Sequence, residues 1–394
     1  MGKTILLTLG RLPKGLELAR CLHGAGNRVI IADPFALHLS KPSRAVARCV
    51  TTPAPASDPE AYLDALCRII REEAVDLVIP VSEEVMHVAA LAGRLPETTE
   101  LLCEPFERIL TLHDKFEFME TVARAGLRVP PTCRGDSAGA AALAECGETV
   151  VKARFGCAGS GLHFLRAGQA LPDQLRSADW VVQRRIRGRE HSTQSFCRNG
   201  EVLAHVNYRG LIFSGTVAVC FEQVALAAID EWVSRFAEQT RYTGFVAFDF
   251  IVDADGTPWP LECNPRLTSG LHFMRHDDLA AVIMGQPIGH QVRLKAQPRY
   301  QESHTALTRA YSQALRPGAF WRMLKAMASA RDVLWSAADP WVFPLMTPMS
   351  WPVLKQVIFQ GRSFGDAATL DIQWHPAGPV PPQSGAPAHQ APAL

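Results

Sequence analysis

The stretch that decides the fold is residues 244–266, "GFVAFDFIVDADGTPWPLECNPR", in which two apolar runs flank a short polar turn. The turn "DADG" between these runs predicts a β-hairpin. Asp249 falls on its first strand, and Glu262 and Asn264 fall on its second. Because residues two apart on a strand face the same way, Glu262 and Asn264 point together and Asp249 can lie opposite them. The hairpin therefore predicts an all-oxygen site for a hard cation such as Mg²⁺.

Arg266 lies two residues beyond Asn264 and on the same face of the predicted strand. A guanidinium at this position can bind an anion with two hydrogen bonds, beside the metal. The alternative is an edge hairpin whose polar side chains are solvated. A solvated face does not require Asn-Pro-Arg directly after the acid, so we favour the metal and anion site.

A second informative stretch is residues 150–165, "VVKARFGCAGSGLHFL". Lys152 ends an apolar, strand-like run, and the loop that follows holds Gly156, Gly159, Ser160 and Gly161. Backbone amides beside a cation suit a polyphosphate, although a simple turn would suit the same glycines. The P-loop motif is absent, because its lysine follows the glycines, and the protein-kinase H-R-D and D-F-G motifs are absent too. Cys157, in this loop, has no evident histidine partner and is not expected to be a nucleophile.

Composition describes a globular protein of two or three domains. The chain has 394 residues, of which 47% are hydrophobic and 20% are charged. Its formal net charge of +1 indicates neither nucleic acid nor an anionic membrane as a partner. The ten cysteines are scattered without a C-x-x-C pair, which favours reduced thiols and a cytoplasmic location. No apolar stretch reaches the roughly 18 residues that a membrane span requires.

The order of local signals predicts several units. Strand and helix patterns alternate over the first hundred residues, which predicts a doubly wound parallel sheet. The segment "GRLPKG" lacks the dinucleotide fingerprint, so Asp33 is expected to end a strand and not to bind a ribose. Strand patterns dominate after residue 130, interrupted by one helix predicted over 222–240. Helical patterns follow residue 290, and the last twenty or so residues are rich in Pro, Ala and Gly and are expected to be disordered.

These motifs together resemble the ATP-grasp superfamily of ATP-dependent carboxylate ligases, which includes D-alanine–D-alanine ligase, biotin carboxylase and the large chain of carbamoyl-phosphate synthetase. The resemblance covers roughly residues 1–290. "LECNPR" is similar to the family's E-x-N-P-R metal motif, and "VVKARFGCAGSG" is similar to its phosphate-covering loop. "DK" at Asp114–Lys115 resembles the start of the first helix of the grasp unit, and "VVQRRIRGREHS" resembles the strand that frames the adenine.

The resemblance implies a role for each matching residue. Asp249, Glu262 and Asn264 would hold two Mg²⁺ ions, for which Mn²⁺ could substitute, while Arg266, Lys152 and Asn264 would carry catalysis. ATP would be bound by Lys115, Lys152, Gly156, Gly159, Ser160, Gly161, Gln183, Arg184 and Ile186, with Glu190 on the ribose hydroxyls. Arg209, His272 and Arg275 are weaker candidates for the substrate, because a solvated role explains them about as well.

The expected fold is α/β and α+β: a Rossmann-like pre-ATP-grasp domain over 1–105, an ATP-grasp domain over 106–290 with subdomains of about 106–180 and 181–290, a mainly helical C-terminal extension over 291–373, and a disordered tail over 374–394. The expected activity activates a carboxylate as an acyl phosphate and couples it to an amine, releasing ADP and phosphate. A regulatory nucleotide-binding protein and a bicarbonate-activating enzyme of the carboxylase or carbamoyl-phosphate type are the alternatives. The expected partners are small molecules, without nucleic acid or membrane, and a homodimer stays open.

Overall fold

The computed structural model describes residues 2–156, 161–215, 217–311 and 317–376. Within these ranges the chain forms three β-sheets, of five, four and seven strands. The first belongs to a Rossmann-like domain and the other two form the halves of the grasp unit, so the predicted mixed α/β and α+β fold is confirmed. The helices described here include none that is long and apolar enough to cross a membrane.

The first sheet is parallel throughout, with its strands in the order β3-β2-β1-β4-β5. The strands are β1 (Thr4–Leu7), β2 (Arg28–Asp33), β3 (Arg48–Thr51), β4 (Leu77–Ile79) and β5 (Glu100–Leu101). Helices α1 (Pro13–Gly24), α2 (Pro59–Glu72) and α3 (Val85–Val88) connect them. The central strands are buried on both faces, which is why their sequences are continuous apolar runs.

Asp33 is the last residue of β2, as predicted. Its carboxylate accepts hydrogen bonds from the backbone N–H groups of Gly10 and Arg11, at 2.9 and 3.0 Å, and pairs with the Arg11 guanidinium at 2.7 Å. The other end of that guanidinium lies 2.7 Å from Asp371, near the carboxyl end of the described chain. The acid at the end of β2 therefore holds the turn that follows β1 in place.

The four-stranded sheet has the order β6-β9-β7-β8 and forms the first half of the grasp unit. Its strands are β6 (Thr132–Arg134), β7 (Thr149–Ala153), β8 (His163–Leu165) and β9 (Trp180–Arg184). Helices α4 (Phe106–His113) and α5 (Lys115–Arg124) precede it, and α6 (Ala138–Glu145) packs on it. Strands β7 and β8 pair antiparallel, so the glycine-rich loop joins two neighbouring strands.

The seven-stranded sheet has the order β14-β13-β10-β11-β12-β15-β16. Its first five strands along the chain are β10 (Arg189–Arg198), β11 (Glu201–Ser214), β12 (Val217–Val224), β13 (Gly244–Val252) and β14 (Pro258–Asn264). Helix α7 (Ala227–Thr240) packs its apolar stripe on β13, where Trp232 and Phe236 meet Phe248. Helix α8 (His276–Ile283) packs against α1 of the first domain. These contacts join the sheet to its surroundings through apolar side chains.

The predicted helix over 222–240 is wrong at its start. Residues up to Val224 belong to strand β12, and α7 begins at Ala227. Strand β11 continues past Arg209 to Ser214. The run "LIFSGTVAVC" is rich in apolar and β-branched residues around a small turn, and such a pattern is typical of a hairpin.

The C-terminal extension is mainly helical, as expected, but it begins inside the large sheet. Strand β15 (Arg299–Gln301) pairs antiparallel with β12, and β16 (Arg331–Asp332) pairs parallel with β15. The helices are α9 (Ser303–Tyr311), α10 (Pro317–Ala328), α11 (Val342–Met349), α12 (Trp351–Gln360) and α13 (Phe364–Thr369). The extension therefore shares a sheet with the grasp unit, and the domain boundary at residue 290 stays a prediction.

Trp374 was expected to begin a disordered tail, but it is packed. Its ring meets Phe106 and Phe155 edge to face, with centroids 5.8 and 6.2 Å apart. The carbonyl oxygen of the preceding residue, Gln373, lies 3.3 Å from His87 Nε2. The ordered chain thus passes this residue, and residues 377–394 of the expected tail lie outside the described residues.

Candidate active site

Lys152 is buried at the end of β7. Its ammonium donates to Gln183 Oε1 at 3.0 Å, on β9, and to the Leu261 carbonyl at 2.7 Å, on β14. Burial, followed by the positive charge of Lys115, lowers the pKa of Lys152 to about 7. The lysine therefore spans the cleft between the two sheets of the grasp unit. An anion that enters this cleft would stabilise its charged form.

Lys115 opens helix α5 on the other side of the same cleft. Its ammonium donates to the Gly156 carbonyl at 2.6 Å and lies 3.4 Å from Glu262 Oε2. Asp114 caps the helix by accepting from the backbone N–H of Phe116, and it also pairs with Arg154 at 2.6 Å. The cap thus fixes the start of the helix to the residue after strand β7, and the lysine links Gly156 of the glycine-rich loop to the hairpin of β13 and β14.

Asp249 and Glu262 are opposite each other in the register of β13 and β14, as the hairpin predicted. Burial and the charge of Glu262 raise the pKa of Asp249 to about 7. Burial also opposes ionisation of Glu262, but the charges of Lys115 and Lys152 outweigh it and lower the pKa of Glu262. Ser192 Oγ donates to Asp249 Oδ1 at 2.5 Å, and Asn264 Nδ2 donates to Asp249 Oδ2 at 3.1 Å.

These three side chains fit a divalent cation by their chemistry. Two carboxylates and an amide oxygen are hard donors of the kind that Mg²⁺ prefers. Burial and the charge of Glu262 oppose ionisation of Asp249, and a cation between the two carboxylates would favour it. Within the described residues no group of three His, Cys, Asp or Glu side chains could hold a metal ion, so Asn264 is the candidate for a third side-chain ligand beside the two carboxylates. Its Oδ1 would have to turn from Arg266, to which it is now bonded at 3.0 Å.

The side chain of Arg266 extends from the grasp unit to the first domain. Its guanidinium pairs with Glu83, which follows β4 and is buried. His113, at the end of α4, lies near the same charges, and burial lowers its pKa. Sequence reasoning missed both Glu83 and His113. For Glu83 there was a signal: acids directly after a buried parallel strand, in "IPVSEE", lie at the edge of the sheet where α/β proteins bind ligands.

The residues predicted to frame the nucleotide lie on or next to strands β9 and β10. Gln183 is buried and donates from Nε2 to Thr132 Oγ1 at 2.9 Å, while Arg184 and Ile186 follow it along and beyond β9. Glu190 is exposed near the start of β10, two residues before Ser192 and therefore on the face that carries the Asp249 contact. The prediction for Gly159 and Ser160 lies outside the described residues. Gly156 and Gly161 flank them with φ of 127° and 72°, a backbone conformation that favours glycine.

The three weaker substrate candidates lie elsewhere. Arg209 pairs with Glu222 on the neighbouring strand at 2.7 Å between Nε and Oε1. His272 is buried, and its Nδ1 lies 3.6 Å from Oε2 of Glu17 on α1. Arg275 is exposed at the start of α8, beside Asp277. The described contacts include none between these residues and the Asp249 and Glu262 pair. Their present partners tie strands and domains together, so a substrate role for them stays a prediction.

The site and its surroundings define a class of protein: two largely antiparallel sheets border a cleft that has lysines on one side and a hairpin with paired carboxylates on the other. Residues 112–270 match the family described as ATP-grasp domain. This segment of the chain is thus similar to an ATP-grasp domain and has the ATP-binding fold of that family. No curated protein matches this sequence.

Several solved structures have the same fold at low sequence identity. The biotin carboxylase domain of 2-oxoglutarate carboxylase from Hydrogenobacter thermophilus, in complex with MgADP, ADP and bicarbonate, has 16% identity and a TM-score of 0.60 over 75% of this chain and 73% of its own. N5-carboxyaminoimidazole synthetase from Staphylococcus aureus, complexed with ADP, has 17% identity and a TM-score of 0.61 over 79% and 86%. L-amino acid ligase from Bacillus licheniformis has 18% identity and a TM-score of 0.53 over 72% and 73%.

Proposed function

We propose that the protein is a cytoplasmic, ADP-forming ligase that activates a carboxylate as an acyl phosphate and couples it to an amine. The observation that carries the proposal is the convergence of Lys152, Lys115 and Arg266 on the paired carboxylates of β13 and β14. Phosphoryl transfer needs neutralised charge and in-line positioning more than covalent help from the protein. A cleft with several cations around a hard-cation site supplies both.

The reaction has two steps. A carboxylate oxygen of the substrate attacks the γ-phosphorus of ATP, and the bond from that phosphorus to the ADP oxygen breaks. The nitrogen of an unprotonated amine then attacks the acyl carbon, phosphate leaves, and the amine proton passes to solvent. Arg266 would neutralise the charge of the transferring group, because its guanidinium already adjoins Asn264.

Asp249, Glu262 and Asn264 would hold the two Mg²⁺ ions, and Mn²⁺ would substitute at the same oxygen ligands. The ions would supply charge neutralisation on the β- and γ-phosphates. Lys152 and Lys115 would bind those phosphates from the opposite side. A bound cation would favour the ionised form of Asp249, whose pKa is raised to about 7 in the metal-free protein. This gain would favour ion binding.

The nucleotide base would lie by Gln183, Arg184 and Ile186, with the ribose on Glu190. The glycine-rich loop after Lys152 would close over the phosphates and keep water from the acyl phosphate. The backbone conformations of Gly156 and Gly161 support this role, because positive φ at both ends of the loop is available to glycine with little strain.

Bicarbonate activation is the second candidate, since two of the structures above are a biotin carboxylase and a carboxyaminoimidazole synthetase. The L-amino acid ligase supports carbon–nitrogen bond formation equally. A regulatory protein without ligase activity is the third. It would need the metal hairpin only for binding, and not the set of cations that surrounds it.

The test measures the release of ADP from ATP when the protein is given each of a panel of carboxylates, with hydroxylamine as the amine. An acyl phosphate formed in the site is trapped as a hydroxamate, which is measured directly. Glu262→Gln should cut turnover by about a hundredfold or more, the scale of losing a major electrostatic stabiliser. Glu201→Gln is the matched control, because Glu201 is exposed at the far start of β11.

Three outcomes separate the candidates. Hydroxamate formation that depends on Glu262 supports the ligase. ADP release with bicarbonate alone, without any other carboxylate, supports bicarbonate activation. ATP binding without ADP release under any combination supports a regulatory protein and refutes the proposed function.

A further inference from the structure

The C-terminal extension carries a large exposed aromatic surface. Four of the eight tryptophans of the chain lie on it and are between 47% and 66% exposed. Ile358 and Phe359 are more exposed than most of them, at 62% and 75%. We call this set the tryptophan surface; its apolar members are Trp321, Trp335, Trp341, Trp351, Ile358 and Phe359, and its exposed basic members are Arg322, Lys325, Arg331 and Lys355.

Helix α12 shows that the exposure is built into the fold. Its inner side packs Val353 and Val357 against Ala367 and Phe364 of α13 and its surroundings. Trp351, Lys355 and Ile358 follow at a spacing of four and three residues, so they share the opposite face of the helix. A helix with apolar side chains on both faces is normally covered on both. Here the outer face is exposed.

Helix α10 repeats the pattern. Met323, Ala326 and Met327 pack on the cluster around Ile212 of β11. Trp321, Arg322 and Lys325 are exposed on the same helix. Each of the two helices therefore presents a tryptophan and at least one basic side chain to solvent.

The two helices border the same hairpin end. Helix α10 packs beside the last part of β11, whereas α13, joined to α12 by three residues, contacts the start of β12. A Cβ atom added to Gly365 of α13 would lie 3.3 Å from Val217. Phe213 and Val217 of that hairpin are about 40% exposed and add to the apolar area. Helices α10 and α13 thus both adjoin the hairpin of β11 and β12, and α12 is joined directly to α13.

The charge of this region points to an anionic partner. Residues 317–369, which end with α13, contain five basic and three acidic residues, which gives a formal charge of +2. The acids have partners within the protein: Asp332 accepts from the backbone N–H groups of Leu334 and Trp335, Asp339 is buried and pairs with Arg20, and Asp366 accepts from Ser363 Oγ. A second copy of the chain would bring like charges together, which opposes self-association through this face.

We propose that the tryptophan surface docks the protein on an anionic membrane surface. Tryptophan rings prefer the level of lipid headgroups, where the ring is apolar and its N–H group stays hydrated. Lysine and arginine side chains beside them attract anionic lipids. The surface lies on the C-terminal extension and leaves the metal hairpin in the cleft between the sheets. The sequence expectation of no membrane partner came from the charge and apolar length of the whole chain, and neither reveals a local surface.

The test is flotation of the full chain with vesicles of phosphatidylcholine and phosphatidylserine, against vesicles of phosphatidylcholine alone. We expect binding to the anionic vesicles that weakens at least tenfold between 50 and 500 mM salt, about the loss that screening of several contacts causes. The double variant Ile358→Ser, Phe359→Ser should also lose at least about tenfold, because both side chains are exposed and would enter the lipid. Trp fluorescence should shift to the blue in the bound wild type.

Two control variants test whether vesicle binding is specific to the tryptophan surface. Phe164→Ser, a 57% exposed phenylalanine on β8, and Arg68→Glu, an exposed charge on α2, should leave vesicle binding unchanged. Equal binding by wild type and by the Ile358, Phe359 double variant would overturn the proposal. So would a lack of vesicle binding, including the case in which sedimentation shows a dimer that the double variant dissociates, since the surface would then be a contact between copies.

Discussion

The Asp249→Asn substitution should stabilise the metal-free protein while abolishing turnover. The pKa of Asp249 is raised from 3.8 to about 7 by burial and by the charge of Glu262. A carboxyl whose pKa is higher in the folded state binds its proton more tightly there, so the free energy of unfolding falls as pH rises through the range of about 4 to 7. Above that range the ionised Asp249 works against folding, and a neutral isostere removes the effect.

The magnitude follows from the pKa change. At about 1.4 kcal/mol per pKa unit, the rise corresponds to about 4 kcal/mol as an upper bound. The Asp249 side chain keeps some contact with solvent, and the nearby lysines relax when it changes, so we expect about 1–2 kcal/mol. For a chain of this size that raises Tm by a few degrees. Asparagine has the shape of Asp249: its oxygen can accept from Asn264 Nδ2 while its NH2 group donates to Ser192 Oγ, so little hydrogen bonding is lost.

The assay is thermal unfolding in EDTA at pH 8 and at pH 5. The stabilisation should shrink to less than half at pH 5, where Asp249 of the wild type is already protonated in the folded protein. Adding Mg²⁺ and ATP should raise Tm of the wild type more than that of the variant, since the variant lacks one of the proposed metal ligands. Asp253→Asn, in the turn of the same hairpin, is the matched control with the opposite sign, because hydrogen bonds lower the pKa of Asp253. A lower Tm for Asp249→Asn at pH 8, or equal stabilisation at both pH values, would refute the reasoning.

Three further predictions concern the nucleotide side of the cleft and the end of the chain. ATP binding at pH 8 should be accompanied by proton uptake, because the pKa of buried Lys152 is about 7 and the phosphates will raise it. Calorimetry in buffers of different ionisation enthalpy measures the number of protons taken up, and Lys152→Arg should abolish the uptake. Replacing Gly159 and Gly161 by alanine should lower turnover more than it lowers ATP affinity. A non-hydrolysable ATP analogue with Mg²⁺ should suppress proteolysis of the wild-type loop. Equal cleavage with and without the analogue would show that the loop is not a lid. Deleting residues 377–394 should leave Tm unchanged, whereas Trp374→Ala should lower it by several degrees through lost contacts to Phe106 and Phe155; a truncation that lowers Tm as much would contradict the boundary.

The parts of the site that lie close together in sequence could be predicted from it. Asp249, Glu262 and Asn264 share one hairpin, so strand alternation alone brings them together. Lys152 was found because its glycine-rich loop follows directly. Glu83 could not be placed against Arg266, because nothing local specifies how the first sheet packs on the grasp unit.

The errors have a similar origin. Strand β12 was merged into helix α7 because "EQVALAAIDEW" has helical spacing, and only pairing with β11 and β15 shows where the strand ends. The C-terminal extension was predicted to be mainly helical. Its strands β15 and β16 were missed because each has only two or three residues. Such short strands exist through their partners, and their own sequence carries little signal.

The ion pair of Arg11 and Asp371 has a consequence for how the protein is made. The two residues are 360 positions apart, and Asp371 also accepts a backbone hydrogen bond from Ala56 through its carbonyl oxygen. During synthesis the first domain emerges from the ribosome long before the segment that completes it. Contacts of such long sequence separation form late, because the loop between them must close first. A ribosome-stalled chain that ends before residue 371 would therefore hold a buried arginine with one of its two carboxylate partners missing, and its first domain should be more sensitive to protease than that of the released protein.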